Sequence, residues 1–182
     1  MVKIIAFAGK MGSGKSAAVE CLKDLGYTPH LLKLAAPLYD IQEIIYNRIS
    51  TIYTRPADFK KDRKLLQYIG GEWGRSLSPT LWLDLWRKEA EKMLPFLGDH
   101  DIIVCDDCRY DNEAETFNYM GGIVIKITRK ERSADGGEGF SGHPSEAGIS
   151  DEYVASTIHN NGTKEELKKQ LETVLTLVKD HV

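Results

Sequence analysis

The sequence contains few cysteines, no long apolar run and no excess of positive charge. Its three cysteines, Cys21, Cys105 and Cys108, include no second metal-binding pair, which argues against a disulfide framework or zinc site and indicates a reduced, cytoplasmic compartment. No apolar stretch reaches the roughly 18 residues of a membrane-spanning helix, and no secretory signal is expected. With 24 Lys and Arg against 27 Asp and Glu, the net charge of −3 argues against a dedicated nucleic-acid binder.

The composition is that of an ordinary globular protein. The 182 residues are 42% hydrophobic and 28% charged, which is enough apolar surface to offset the entropy lost on folding. A chain of this length can build one sizeable core, and no repeat or linker divides it. We therefore expect a single domain.

The apolar residues alternate between strand and helix spacing along the chain. The run 2–8 ends at Gly9 and predicts a buried parallel strand. A glycine pair at 70–71 is expected to end the third helix, and Thr163 with Glu166 forms a capping box for the last one. Further strands are predicted at 102–105, 123–127 and 154–158, and helices at 16–25, 37–49, 57–69, 78–95, 112–119 and from 163 onward. This alternation predicts an α/β/α sandwich around a parallel sheet.

Between the first strand and the first helix lies a full phosphate-loop motif, Gly-x-x-x-x-Gly-Lys-Ser. Its glycines let successive backbone N–H groups converge on phosphate oxygens at a helix N-terminus. Lys15 is expected at the β- and γ-phosphates, and the Ser16 hydroxyl at Mg²⁺. The alternative is a glycine-rich turn that binds nothing, which the strand–loop–helix context disfavours. The residues assigned to nucleotide binding here are Gly9, Lys10, Met11, Gly12, Ser13, Gly14, Lys15, Ser16 and Ala17.

Two further features suit phosphate chemistry. Asp106 and Asp107 follow an apolar strand, where a carboxylate can hold Mg²⁺; the alternative is that they cap the next helix, and which aspartate serves the metal is left open. The glycine-rich loop 129–150 carries Arg129 and Arg132 and is interpreted as a lid over the transferring phosphate, with an ordinary solvated loop as the alternative.

Several segments together resemble the phage-type deoxynucleoside monophosphate kinases, a branch of the P-loop nucleoside-monophosphate kinases. The resemblance covers nearly the whole chain. Residues 63–75 are similar to the family pattern Arg-x-x-Leu-Gln-x-x-Gly-Thr-Glu-x-x-Arg, with Gly71 in place of threonine. Residues 107–114 are similar to Asp-Val-Arg-Phe-x-Asn-Glu-Ala. The segments 34–38, 143–146 and 158–163 also resemble family stretches. The order and distance of the segments 63–75 and 107–114 identify the family.

The resemblance implies a P-loop kinase fold with a central five-stranded parallel sheet. It divides the chain into a core (about 1–34, 100–128 and 152–182), an acceptor-binding helical region (about 35–99) and a lid (about 129–151). It implies Mg²⁺-dependent transfer of the ATP γ-phosphoryl group to a nucleoside or deoxynucleoside 5′-monophosphate. The implied ATP contacts beyond the phosphate loop are Arg129, Asn160, Gly162 and Thr163; the acceptor contacts are Arg63, Gln67, Glu72, Trp73, Arg75, Asp107, Arg109, Asn112 and Glu113; the catalytic cations are Lys15, Arg75, Arg109, Arg129 and Arg132; and the metal ligands are Ser16, Asp106 and Asp107.

Two other functions remain open at this point. One is a different small-molecule P-loop kinase, such as a dephospho-coenzyme A kinase, and the other is a nucleotide switch or ATPase that needs no acceptor. The expected ligands are small nucleotides, without nucleic acid or membrane. The preferred base, the choice between ribose and deoxyribose, and the choice between monomer and homodimer are left open, and the compartment would be the host cytoplasm for a phage protein.

Overall fold

Five parallel strands form one sheet at the centre of the computed structural model, which describes residues 2–56, 58–130 and 148–179. The strands are β1 (Ile4–Ala8), β2 (Thr28–Leu31), β3 (Asp101–Cys108), β4 (Ile123–Thr128) and β5 (Ser156–His159). Their order across the sheet is β2-β3-β1-β4-β5, and every neighbouring pair is parallel. The predicted five-stranded α/β fold is confirmed.

α-Helices lie between and after these strands along the chain. They are α1 (Lys15–Asp24), α2 (Ala36–Arg48), α3 (Arg63–Gln67), α4 (Gly74–Leu77), α5 (Leu81–Met93), α6 (Asp111–Tyr119) and α7 (Lys164–Lys179). A π-helical turn, Tyr68–Trp73, joins α3 to α4, and short 3₁₀ turns lie at Leu94–Phe96 and Asp151–Tyr153. Thr163 and Glu166 exchange backbone-to-side-chain hydrogen bonds of 3.2 and 3.3 Å, so the predicted capping box of α7 is confirmed.

The core lies on the two faces of β1, whose five residues are all buried. On one face, Ile5 and Phe7 pack in a cluster with α1 and α7, to which Leu22 and Leu171 contribute fully buried side chains. On the other face α6 packs against β1 and β4 and buries Phe117. Because alternate strand residues point to opposite faces, burial on both faces explains why this strand is continuously apolar. None of the described helices is both long and apolar enough to cross a membrane.

The structure differs from the sequence-based prediction at three places. Strand β2, at the sheet edge, was not predicted, because its Thr-Pro-His-Leu sequence is only partly buried and contains proline, which an edge strand tolerates. The glycine pair at 70–71 does not end a helix, since helical structure continues through the π turn to Leu77. The helix expected from residue 57 begins at Arg63, where Asp62 caps it.

The chain divides into two compact units by backbone proximity. The first comprises residues 1–32 and 92–182 and contains the whole sheet with α1, α6 and α7. The second comprises residues 33–91 and contains α2 to α4 and nearly all of α5. The functional division into core, acceptor region and lid stays a prediction.

Candidate active site

The phosphate loop occupies the connection between β1 and α1. Gly9, Gly12 and Gly14 have positive φ angles of 137°, 80° and 107°, which only glycine adopts without strain. Gly14 directly precedes α1, so the loop ends at the helix N-terminus. This is the strand–loop–helix geometry that aims backbone N–H groups and the positive end of a helix dipole at an anion. The nine residues assigned to nucleotide binding lie in this loop and the start of α1, and their contacts with a nucleotide stay a prediction.

Asn160, which directly follows the outermost strand β5, holds the loop in place. Its buried side-chain amide Nδ2 donates to the Ser13 backbone oxygen over 2.8 Å. The same amide lies where a Cβ on Gly14 would be placed, so a side chain at position 14 would displace it. Asn160 therefore acts on the loop's conformation, a role that the sequence does not reveal because 147 positions separate the two partners.

Lys15 is folded over its own loop. Its Nζ atom donates to the backbone oxygens of Gly9 and Lys10 over 2.7 and 2.9 Å. Those hydrogen bonds place a positive charge across the concave side of the loop, where phosphate oxygens would be neutralised.

The carboxyl end of β3 lies directly beside the start of the phosphate loop. Ala6 pairs with Cys105 and Ala8 with Cys108, so β1 advances two residues while β3 advances three. This irregularity in β3 falls on Asp106 and Asp107, and bulges of this kind re-aim side chains near active sites. Both aspartates lie within β3, so the alternative that they cap the next helix is wrong.

The two aspartates differ in their surroundings. Asp106 is 8% exposed, whereas Asp107 is partly exposed and accepts a hydrogen bond from the Cys105 thiol over 3.2 Å. Burial raises the pKa of the Cys105 and Cys108 thiols well above the usual value, and both cysteines are free. Protonated, buried thiols of this kind are unreactive, which supports a structural role for the Cys-x-x-Cys pair.

A tight turn after β3 presents Arg109. The buried Glu113 carboxylate accepts the backbone N–H groups of Arg109 and Tyr110 over 2.8 and 3.1 Å at the start of α6. The Arg109 side chain is exposed, and Asn112 is partly buried in the first turn of α6. Glu113 thus fixes the backbone from which Arg109 projects.

The remaining candidates of the first unit also follow strand ends. Arg129 comes directly after β4, and Gly162 and Thr163 lie between β5 and α7. The carboxyl ends of parallel strands meet at one edge of a sheet, which is where ligands bind in open α/β folds. Arg132 and the lid residues 131–147 lie outside the described residues.

Both ends of the predicted lid are attached to the sheet edge through contacts that the sequence does not signal. The Lys130 N–H donates to Asn161 Oδ1 over 2.8 Å. At the other end, Asp111 accepts the Ser150 backbone N–H over 2.8 Å and its hydroxyl over 2.7 Å. These two bonds lower the pKa of Asp111, so its carboxylate stays charged at neutral pH.

The helical unit carries the other five candidates on α3, the π turn and α4. These are Arg63, Gln67, Glu72, Trp73 and Arg75. Arg63, Gln67, Glu72 and Trp73 are exposed, and Arg75 is partly buried with its Nη1 atom 3.3 Å from the Pro79 oxygen. Trp73 lies in the π-helical turn with 43% of its surface exposed.

A polar cluster on α2 fixes the start of α3. Gln42, buried at 2% exposure, accepts the Asp62 N–H over 2.7 Å, and the Tyr46 hydroxyl donates to Asp62 Oδ2 over 2.8 Å. Asp62 Oδ1 in turn caps α3 by accepting the Leu65 N–H over 3.0 Å. The Leu65 N–H and then the Tyr46 hydroxyl lower the pKa of Asp62. Three hydrogen bonds therefore fix Asp62, the residue that caps the helix beginning with Arg63.

The family model described as deoxynucleotide monophosphate kinase matches residues 61–171 of this chain. The match covers more than half of the chain and spans α3, the end of β3 and the segment after β5. The chain belongs to the deoxynucleotide monophosphate kinase family. The predicted resemblance to this family is thereby confirmed.

Three viral relatives accompany this family assignment. A protein described as a putative deoxynucleotide monophosphate kinase of Acanthamoeba polyphaga mimivirus is 29% identical over 92% of this chain and 93% of its own length. The deoxynucleotide monophosphate kinase of Escherichia phage RB69 is 32% identical over 62% of this chain and 44% of its own. The uncharacterised protein ORF76 of Ictalurid herpesvirus 1 is 31% identical over 88% of this chain. This kinase chain spans only 61% of that protein's length.

Solved structures confirm the fold of this kinase family member. TT1252 from Thermus thermophilus superimposes with a TM-score of 0.56 at 20% identity, covering 97% of each chain. The dephospho-CoA kinase from Campylobacter jejuni superimposes with a TM-score of 0.54 at 15% identity, covering 100% of each chain. At these identities the likeness establishes architecture alone.

Proposed function

We propose that this chain transfers the terminal phosphoryl group of ATP to a nucleoside or deoxynucleoside 5′-monophosphate, giving ADP and the corresponding diphosphate. ATP is the donor that the kinase family implies. The observation that carries the proposal is the phosphate loop, held by Asn160 and crossed by Lys15, at the same sheet edge as Arg109 and Arg129.

The chemistry needs positioning and positive charge more than proton transfer. An oxygen of the acceptor phosphate forms a bond to the γ-phosphorus while the bond from that phosphorus to the β,γ-bridging oxygen breaks, and ADP takes up the electron pair. The acceptor is already an anion at neutral pH, so no general base is required. We assign the stabilisation of the negative charge that develops in the transition state to Lys15, Arg75, Arg109, Arg129 and Arg132.

The donor set at the sheet edge suits Mg²⁺. The Ser16 hydroxyl and the Asp106 carboxylate are hard oxygen ligands, which Mg²⁺ prefers. No group of three or more His, Cys, Asp or Glu side chains suited to a metal occurs among the described residues, as expected for an ion held largely by phosphates and water. When bound, Mg²⁺ would neutralise charge on the phosphates.

We favour Asp106 over Asp107 as the metal ligand. Alternate residues of a strand face the same side of the sheet, and Ile102 and Val104 lie in the cluster that α1 covers. Asp106 is the next residue in that alternating series. Helix α1 begins with Lys15 and Ser16. Asp107 shares its hydrogen bond with the Cys105 thiol instead.

We assign acceptor binding to the helical unit. Arg63 and Arg75 suit a monophosphate because a guanidinium matches phosphate oxygens in pairs. Gln67 and Glu72 offer hydrogen bonds, and the exposed ring of Trp73 offers a surface on which a base can stack. The resemblance also implies acceptor contacts at Asp107, Arg109, Asn112 and Glu113 of the first unit, and these stay predictions.

A panel of acceptors tests the function. We expect the purified chain with ATP and Mg²⁺ to form ADP rapidly when a deoxynucleoside or nucleoside monophosphate is present, and slowly without one. ADP formation with dephospho-coenzyme A alone would identify the other small-molecule kinase. Equal ADP formation with and without any acceptor would identify an ATPase or switch. The reduced cytoplasmic compartment and the absence of nucleic-acid binding remain predictions from composition.

A further inference from the structure

The helix that carries the proposed acceptor residues contains one residue too many for an α-helix. Ile69 and Gly74 are both buried although they lie five positions apart, while Trp73, four positions from Ile69, is 43% exposed. In an α-helix, residues three or four apart share a face. The spacing of five is that of the π-helical turn 68–73, and π turns of this kind occur frequently at functional sites.

A tryptophan from the following helix holds the π turn in place. The buried Trp82 indole donates through Nε1 to the Gly70 oxygen over 2.9 Å, using a carbonyl of the π turn. Gly74 lies against the same ring: a Cβ there would be 2.5 Å from Trp82 Cζ2 and 2.6 Å from the Ile69 oxygen. The second contact leaves no room for a side chain at position 74.

The π turn changes which residues share a face with Arg63. Arg63 and Arg75 are twelve positions apart, so in an unbroken α-helix their directions would differ by about 120°. When the π turn absorbs one residue, the effective spacing is eleven positions, and the difference falls to about 20°. The burial pattern agrees, because Arg63 and Gln67 are exposed while Gly74, which would share their face in an unbroken α-helix, is buried against Trp82.

We propose that the π turn, locked by Trp82, is the device that brings Arg75 onto the same helix face as Arg63, so that both arginines face the acceptor. The proposal rests on the proposed function of the helical unit as the acceptor site. At about 1.5 Å of rise per residue, the two arginines lie about 16 Å apart along the helix axis, so they face one site from its two ends. Trp82 and the surplus residue are then positioning elements that never touch the nucleotide.

The deciding experiment combines a substitution with a deletion. We expect Trp82→Phe to remove the hydrogen bond to Gly70, so that the helix returns to α-helical bonding at fixed length and Arg75 turns away. The KM for the monophosphate should rise about tenfold or more, the change expected when a charge-assisted hydrogen bond is lost, and the KM for ATP should not change. Deleting Gly71 in the Trp82→Phe protein removes the surplus residue, returns Arg75 to the face of Arg63, and should bring the KM back to near the wild-type value.

Two controls separate alignment from general damage. Deletion of Gly71 alone should leave the monophosphate KM near wild type, and Gly71→Ala, which keeps the length, should not rescue Trp82→Phe. An unchanged KM in Trp82→Phe, or a double variant as impaired as Trp82→Phe alone or more so, would overturn the proposal. These results are informative only on a wild-type chain that phosphorylates monophosphates; a wild type without that activity refutes the proposed function instead.

A second measurement applies if Trp82→Phe does not fold, as judged by circular dichroism. Arg63→Gln and Arg75→Gln should each raise the monophosphate KM about tenfold or more on the full chain and leave the KM for ATP unchanged. An unchanged monophosphate KM in either variant would overturn the alignment.

Discussion

The contact between Asn160 and the phosphate loop gives the sharpest test of the donor site. In Asn160→Asp the amide that donates to the Ser13 oxygen is replaced by a carboxylate that cannot donate. A buried carbonyl left without its partner costs about 1–3 kcal/mol. If that cost falls on the ATP-binding conformation of the loop, affinity falls by about fivefold to 150-fold. The added negative charge beside a loop that binds phosphates acts in the same direction.

The next residue supplies a matched control. Asn161 accepts the Lys130 N–H through Oδ1, and a carboxylate accepts the same hydrogen bond. Asn161→Asp therefore changes the net charge equally, one position away, while it keeps its contact, and we expect it to weaken ATP binding by less than about twofold. Asn160→Ala, which removes the donor without adding charge, should retain most of the loss seen in Asn160→Asp.

Isothermal titration calorimetry with ATP and Mg²⁺, together with thermal unfolding of each variant, measures both effects. ATP affinity of Asn160→Asp within twofold of wild type would refute the role assigned to this amide. Equal losses in the Asn160 and Asn161 variants would show that the effect is one of charge alone.

Three further outcomes follow from the geometry. Lys15→Ala should leave a folded protein whose turnover at saturating ATP is at least about a hundredfold lower, the loss typical of one preorganised donor, as measured by initial rates. Asp62→Ala should destabilise by about 1 kcal/mol in chemical denaturation, and Asp62→Asn by less, since asparagine also caps. Because the folded-state pKa of Asp62 is lowered, its charge stabilises the protein above about pH 4, and the advantage over Asn should vanish as pH falls below that value. Asp106→Asn should raise the Mg²⁺ concentration needed for half-maximal rate more than Asp107→Asn does, and the reverse order would exchange the two assignments.

Local features of the site could be predicted from the sequence, whereas contacts between distant segments could not. The phosphate loop is contiguous in the sequence, so its glycines and Lys15 predict both its conformation and its phosphate binding. The capping box of α7 is likewise contained within four residues. The Asn160 contact joins segments 147 residues apart, and its function as a clamp on Gly14 became visible only once the strands were in place.

The wrong sequence-based predictions also trace to contacts between segments that are distant in the sequence. Strand β2 has little apolar periodicity because it lies at the edge and contacts only one other strand, β3. The glycine pair at 70–71 was expected to break a helix, but helical structure continues there as a π turn, and the Gly70 oxygen accepts a hydrogen bond from the Trp82 indole. Helix-breaking propensity was overridden by a tertiary contact.

The strand order has a consequence for how the chain is synthesised. Both neighbours of β1 in the sheet, β3 and β4, begin after residue 100. A nascent chain therefore carries a wholly apolar β1 with its backbone groups unpaired until the second half of the protein leaves the ribosome, while residues 33–91 are contiguous and hold contacts of their own. Any fragment that ends before Asp101 retains this exposed, aggregation-prone segment.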